Sequence, residues 1–370
     1  MNARVLLVIA VLFVAGVVPT AGTALASAQE CSFPISEVDA TGTEVTIEEE
    51  PRRVVTLSPS AAQTTWEIGA KGKVVGVTKY AAYLEGASEK ENVSGAGMQA
   101  VVVEKVVALE PDLVLAPNVI PNATVRKLRD AGLTVFRFAA ARSIEDVYAK
   151  TQLTGRLVGK CEGGEETVAW MKERIGTVRE AVSDEERPTV IYPLGGGFVA
   201  GSGTFIDEIV TTAGGRNLAA EANISGYRQI SPEVVLDRDP EWVVLSEDLP
   251  TSALGDVYNR TTAMEEGHVI RVDPNHANQP APRVVLVAAK IAKALHPEAY
   301  AAANATPTPT ASPTASPTPT ESPTASTTPS PSMGDGTEMQ TTATPGQPGF
   351  GITVVLAALA AALIAARTRD

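Results

Sequence analysis

The stretch EKVVALEPDLVL, Glu104 to Leu115, returns 129 positions later as EVVLDRDPEWVV, Glu233 to Val244, with Glu104 falling on Glu233 and Pro111 on Pro240. Each copy reads as a short helix opened by an acid, stopped by a proline and followed at once by an apolar strand. A helix that feeds a strand once in each half predicts an α/β chain of two similar lobes. Two joined lobes leave a cleft between them, and clefts between domains are where ligand sites form.

The rest of the chain fits that plan. About 270 residues separate Ser32 from Tyr300, room for two ordinary domains. Val54 to Leu57 predicts a strand, and Ser58-Pro59-Ser60 supplies the cap of a helix ended by Gly69. A strand over Val74 to Val77, the first copy of the repeat, a helix over Ala123 to Ala131 and a strand from Leu133 to Phe138 complete the first lobe. Alternating strands and helices predict a parallel sheet. Ser143 to Lys160 predicts a helix that Cys161-Glu162-Gly163-Gly164 interrupts. Val168, Met171, Ile175, Val178 and Val182 then keep helical spacing, as a connector would. Pro188 opens the second lobe, which ends on a helix from Val284 to Leu295. The expected division is an export signal over 1–28, lobes over 32–160 and 187–300, a connecting helix over 161–186, a stalk over 301–347 and a hydrophobic tail over 348–370.

Both ends place the chain outside the cytoplasm. Arg4, an apolar run from Val5 to Val18 and small residues up to Ala28 form an export signal. At the other end, a Thr/Pro/Ser tract from Thr306 to Ser332 cannot bury a core and predicts an extended stalk. Pro348-Gly349-Phe350, an apolar run from Ile352 to Ala366 and Arg367 and Arg369 follow. That arrangement resembles the archaeal PGF-type sorting signal, which implies removal by an archaeosortase and replacement by a lipid; a retained membrane span is the alternative. Sequons at Asn92, Asn122, Asn223, Asn259 and Asn304 offer glycosylation sites to an exported chain. The two cysteines, Cys31 and Cys161, are what one disulfide needs in an oxidising space. A net charge of −13 excludes the basic face that nucleic acid requires.

Catalytic signatures are weak. Gly195-Gly196-Gly197 lacks the spacing of a nucleotide loop and reads as a tight turn. Gly201-Ser202-Gly203 lacks the outer glycines of a nucleophile elbow, which leaves a surface hydrolase acting through Ser202 as a competing reading and an N-cap at Ser202 or Thr204 as the simpler one. His268, His276 and His296 are the only histidines, and no two have metal-ligand spacing. Neither a catalytic residue, a metal site nor a resident cofactor is expected.

Val54-Val55-Thr56-Leu57-Ser58-Pro59-Ser60, Gly69-Ala70, Val74-Val75-Gly76-Val77 and Lys105 to Ala116, taken in order, resemble the class III solute-binding proteins of ABC importers. The resemblance covers Arg52 to Leu295 and implies two Rossmann-like lobes tied by one long helix, with cobalamin, a ferric siderophore or haem held between them and delivered to a permease and its ATPase. By position it implies ligand contacts from Ser58, Pro59, Tyr80, Tyr83, Met98 and Gln99 in the first lobe. In the second lobe it implies Phe198, Tyr227, Arg228, Asn275, His276 and Asn278. Tyr227 stands where cobalamin-binding members carry tryptophan. Tyr80 or Tyr83 with His276 would suit haem iron, and Arg228 with Arg142 an anionic siderophore. Glu104 and Glu233 correspond to the family's two acids, one per lobe, that dock onto permease arginines; each also suits a helix start.

Overall fold

The computed structural model describes residues 31–97 and 100–305. The export signal, Met98, Gln99, the stalk beyond Ala305 and the hydrophobic tail lie outside the described residues.

The chain opens with an antiparallel hairpin of β1 (Ile35–Val38) and β2 (Glu44–Ile47). Its turn is pinned to the first lobe by Asp39, whose carboxylate accepts from Thr41 N (2.7 Å), Arg129 Nη2 (2.6 Å) and Arg137 N (3.0 Å). The first lobe then runs β3 (Val54–Thr56), α1 (Pro59–Glu67), β4 (Val74–Val77), β5 (Glu91–Asn92), α2 (Val103–Ala108), β6 (Leu113–Ala116), α3 (Asn122–Asp130) and β7 (Val135–Arg137). Its five strands are parallel in the order β5-β4-β3-β6-β7. Every residue of β3 and β6 is buried, as unbroken apolar strands covered on both faces require.

Two long helices cross to the second lobe. Ser143 caps α4 (Ile144–Leu157) in a capping box with Asp146. The first turn of α4 is held by the second lobe through Ile144 N donating to Glu208 Oε2 at 3.0 Å. The expected break at Cys161 to Gly164 falls elsewhere: α4 stops at Leu157, Gly159 turns the chain at φ +69°, and α5 (Cys161–Ala181) already contains both glycines. Gly163 is there for closeness, since a Cβ on it would stand 2.2 Å from the Ile68 carbonyl oxygen. Helix α5 starts against the first lobe, where Thr167 Oγ1 donates to Glu67 O at 3.1 Å. Its later turns, Met171, Ile175 and Val178, lie in the core of the second lobe with Ile144 and Tyr148 of α4. A disulfide joins Cys31 to Cys161 at the start of α5.

The second lobe runs β8 (Thr189–Ile191), β9 (Pro193–Gly195), β10 (Phe198–Ala200), α6 (Phe205–Thr212), β11 (Arg216–Asn217), α7 (Leu218–Glu221), β12 (Tyr227–Gln229), α8 (Pro232–Arg238), β13 (Trp242–Ser246), α9 (Thr262–Glu265), β14 (Val269–Val272), α10 (Pro274–Ala277), α11 (Val284–Leu295) and α12 (Pro297–Asn304). Strands β11-β8-β13-β14 form a parallel sheet, and β12-β10-β9 a small antiparallel one. The glycine run closes the β9–β10 hairpin, with Gly196 and Gly197 at φ +58° and +80°, the conformation that a two-residue hairpin turn demands.

The repeat is structural down to the backbone. Glu110 (φ +44°) and Asp239 (φ +38°), one residue before the matched prolines, both adopt the left-handed conformation, which costs a non-glycine residue on the order of 1 kcal/mol. After the proline, Asp112 Oδ2 accepts from Arg52 N (2.7 Å) and Arg53 N (2.8 Å), while Glu241 Oε2 accepts from Thr189 N (2.6 Å). In each lobe a carboxylate thus takes the free donors at the foot of the neighbouring strand.

The two glycines of α5 make a matched test. Gly163→Ala should destabilise by about 1–3 kcal/mol, because its methyl meets a carbonyl oxygen. Gly176→Ala, with nothing within 4 Å, should stabilise by about 0.5–1 kcal/mol. Urea unfolding of both variants checks this, and equal effects would remove the close approach as the reason for Gly163.

Candidate functional site: the cleft between the lobes

In both parallel sheets the segments leaving the carboxyl ends of the strands face the other lobe. Three of them meet: α1 after β3, the turn after β4, and residues 273–283 after β14. Gln63 of α1 is fully buried and is their junction. Its Nε2 donates to Tyr83 Oη (2.9 Å) and across the cleft to Asn275 O (3.1 Å), and its Oε1 accepts from Arg283 N (2.9 Å). Tyr83 Oη donates in turn to Gln279 Oε1 at 3.4 Å. Beside them, Arg283 forks onto Glu67 Oε1 through Nε (2.8 Å) and Nη2 (2.7 Å).

Of the first-lobe candidates, Tyr83 stands at this junction. Burial raises its phenol above the ordinary range, against the hydrogen bonds from Gln63 and to Gln279. Ser58 is buried and serves α1, accepting from Ala61 N and bonding the Ser60 hydroxyl at 2.9 Å, with Pro59 as the first helical residue. Tyr80 is half-buried with the Lys79 ammonium 5.1 Å from its ring centroid.

In the second lobe, β10 pairs with β12 so that Ala200 is opposite Tyr227. Side chains of directly opposed residues share a face, and so do alternate residues on one strand. Phe198 and Tyr227 therefore present rings on one side of the small sheet, while Arg228 is exposed on the other. Tyr192, buried beneath them, contacts Asn278 Oδ1 at 3.5 Å. Burial pushes the Tyr192 and Tyr227 phenols well above their usual range, so both stay neutral donors. Asn275, His276 and Asn278 lie on the segment that Gln63 holds. His276 is half-buried with Nε2 3.7 Å from Asp273 Oδ2. Burial lowers its pKa and the Arg283 charge adds to this, against Asp273.

Ser202 makes no nucleophile: its hydroxyl donates to Ile224 O at 3.3 Å, and Thr204 is the residue that caps α6. Glu104 and Glu233 are exposed in the first turns of α2 and α8. Helices that return antiparallel to their strands begin at the cleft edge of the sheet, so both acids stand on that rim. The Glu233 carboxyl is held below the usual range by its own backbone N–H and the Ser231 hydroxyl.

Sequence reasoning missed Gln63, Glu67, Gln279 and Arg283, whose roles appear only when the lobes meet. The available signal was Gln63 on the inward face of α1, among Ala61, Ala62, Thr64 and Thr65, all buried. Lys150 was missed as well. It reaches from α4 under the cleft, its Nζ 3.3 Å from Pro280 O and 5.7 Å from the Phe138 ring centroid. Full burial lowers its pKa to about 8. Below pH 8 the lysine is charged folded or unfolded, and the native state carries the whole desolvation cost. Between pH 8 and about 10.5 the unfolded chain holds a proton that the native state has released, so stability rises with pH by up to about 3 kcal/mol. Lys150→Met should raise stability at pH 7 by on the order of 2 kcal/mol and flatten that rise. Chemical denaturation from pH 7 to 10.5 measures both, and parallel curves would refute the buried-cation account.

Residues 54–276 match the family described as periplasmic binding protein. A cobalamin-binding protein of Halobacterium salinarum is 48% identical over 277 residues, 72% of this chain and 75% of that protein. A substrate-binding lipoprotein of an uncharacterised ABC transporter of Bacillus subtilis is 29% identical over 279 residues, 72% of this chain and 87% of its own. Among solved structures, the periplasmic heme-binding protein of Roseiflexus sp. RS-1 superposes with a TM-score of 0.60 at 24% identity, covering 68% of this chain and 99% of that one, a likeness of fold. Two parallel-sheet lobes, a long connecting helix and a family match over most of the folded part lead to one conclusion: this protein belongs to the periplasmic binding protein family, in its class III form.

Proposed function

We propose that this protein is the extracytoplasmic binding component of an ABC importer, and that it captures cobalamin or a related corrinoid in the cleft and hands it unchanged to a membrane permease and its ATPase. The observation that carries this reading is the 48% identity to a cobalamin-binding protein through both lobes. The cleft chemistry supports it. Phe198 and Tyr227 offer flat apolar faces, and Asn275, Asn278 and Gln279 offer amides to a macrocycle that carries amides at its rim. A haem reading needs an axial ligand, and the Tyr83 hydroxyl is already committed to Gln63 and Gln279.

The reading extends to the parts of the chain known from sequence alone. Residues 1–28 would export the protein. The Thr/Pro/Ser stalk and the Pro348-Gly349-Phe350 tail would hold it at the outer face of the membrane, after archaeosortase processing or as a retained span. Of the five sequon asparagines, Asn92, Asn122, Asn223, Asn259 and Asn304 are all exposed, as acceptors of sugar must be. No cofactor of its own is needed for capture.

Calorimetry of residues 31–305 with cyanocobalamin tests the ligand, with binding expected at micromolar concentration or tighter. No heat at tens of micromolar, with tight binding of haem or a ferric siderophore, would replace the ligand and leave the family standing. A second experiment addresses Glu104 and Glu233. If they dock the permease, the double variant Glu104→Ala, Glu233→Ala should bind cobalamin as before and lose most uptake at equal surface levels, because permease arginines lose their bidentate partners while the cleft is untouched. Normal uptake would reduce the two acids to helix-start residues.

A further inference from the structure

We infer that Gln63 and Glu67 are positioning residues for the ligand face of the second lobe: from the first lobe they clamp the segment Asn275–Arg283 and so set the opening of the cleft. The argument starts from where that segment is anchored. Asn275 O and Arg283 N, eight residues apart, both bond the one side-chain amide of Gln63. Tyr83 bonds Gln279 in the middle of the segment, and Lys150 donates to Pro280 O from below. Arg283 is also the N-cap position of α11, so its fork onto Glu67 ties the start of a second-lobe core helix to the end of α1. The anchoring groups Gln63, Tyr83, Lys150 and Glu67 all belong to residues N-terminal to α5, whereas the segment they hold is part of the second lobe.

Burial makes the clamp obligatory. Gln63 is fully buried, and every one of its three bonds replaces water that cannot reach it. Opening the cleft would strand its amide or Asn275 O, and an orphaned buried polar group costs about 1–3 kcal/mol. Asn275, His276 and Asn278 ride on the clamped segment, so their reach toward a ligand is fixed from the opposite lobe. The inference rests on the cleft being the binding site, and deepens that reading by saying what holds its geometry.

The experiment compares single variants with a charge swap, in protein spin-labelled through cysteines at the exposed positions Lys127 of the first lobe and Glu265 of the second. Pulsed dipolar spectroscopy without ligand should give a narrow interlobe distance in the parent. Gln63→Met and Glu67→Arg should each broaden or lengthen that distance, and each should weaken cyanocobalamin binding at least tenfold. Combining Glu67→Arg with Arg283→Glu should narrow the distance again and recover most of the affinity, a rescue that loss of stability alone does not produce. The half-exposed Glu67–Arg283 pair keeps the test decisive if Gln63→Met does not fold. Single variants that unfold at lower urea yet keep the parent distance would overturn the inference. Failure of the parent to bind cyanocobalamin would count against the proposed ligand, and the ligand-free distances would still judge the clamp.

Discussion

One carboxylate in each lobe decides where the sheet begins. Asp112 and Glu241, each following the proline that ends a helix, take the backbone donors at the foot of the strand next door. The exchange is mutual, since Asp112 N donates to Arg53 O at 2.8 Å and Glu241 N to Thr189 O at 3.1 Å. Strands β6 and β13 thereby enter beside β3 and β8 in fixed register. Without that register the apolar strands would have several near-equivalent ways to pair. The proline, the left-handed residue before it and the acid after it work as one unit, and the chain uses that unit twice.

This explains how much of the fold was readable in the sequence. The repeat, the unbroken apolar strands and the glycine or proline stops are local signals, and β3, β4, β6 and α1 fall within a residue or two of where those signals place them. The boundary between α4 and α5 went astray for a physical reason. Gly163 and Gly164 look like breakers because glycine weakens an isolated helix, but Gly163 is required by the carbonyl of Ile68 pressing on α5, a contact that exists only after docking. The short strands β11 and β12 and the small sheet around them carry too few residues to leave a periodic trace.

The candidate site was legible to a lesser degree. Aromatic residues such as Tyr83, Phe198 and Tyr227 announce themselves by type. The residues that organise the cleft do not: Gln63 and Gln279 are ordinary amides until two lobes close over them, and Arg283 reads as a helix-start residue until Glu67 comes within 2.7 Å. Ser58 shows the opposite error. Its position after β3 suggested ligand contact, whereas its hydroxyl is spent on the cap of α1 and on Ser60.

Both ends of the folded part are fastened to the same helix. Cys31 is bonded to the first residue of α5, while Tyr300 and Ala303 of α12 pack into the core that holds its later turns. Mechanically, α5 is a keel. A pull on either end of the chain is carried along this helix and its partner α4, past the two sheets, and the jaws of the cleft stand off the line of force. A receptor held by a flexible tether at a surface swept by flow and collision can thus be tugged without being pried open, and its grip on a ligand is decoupled from the tension in its leash.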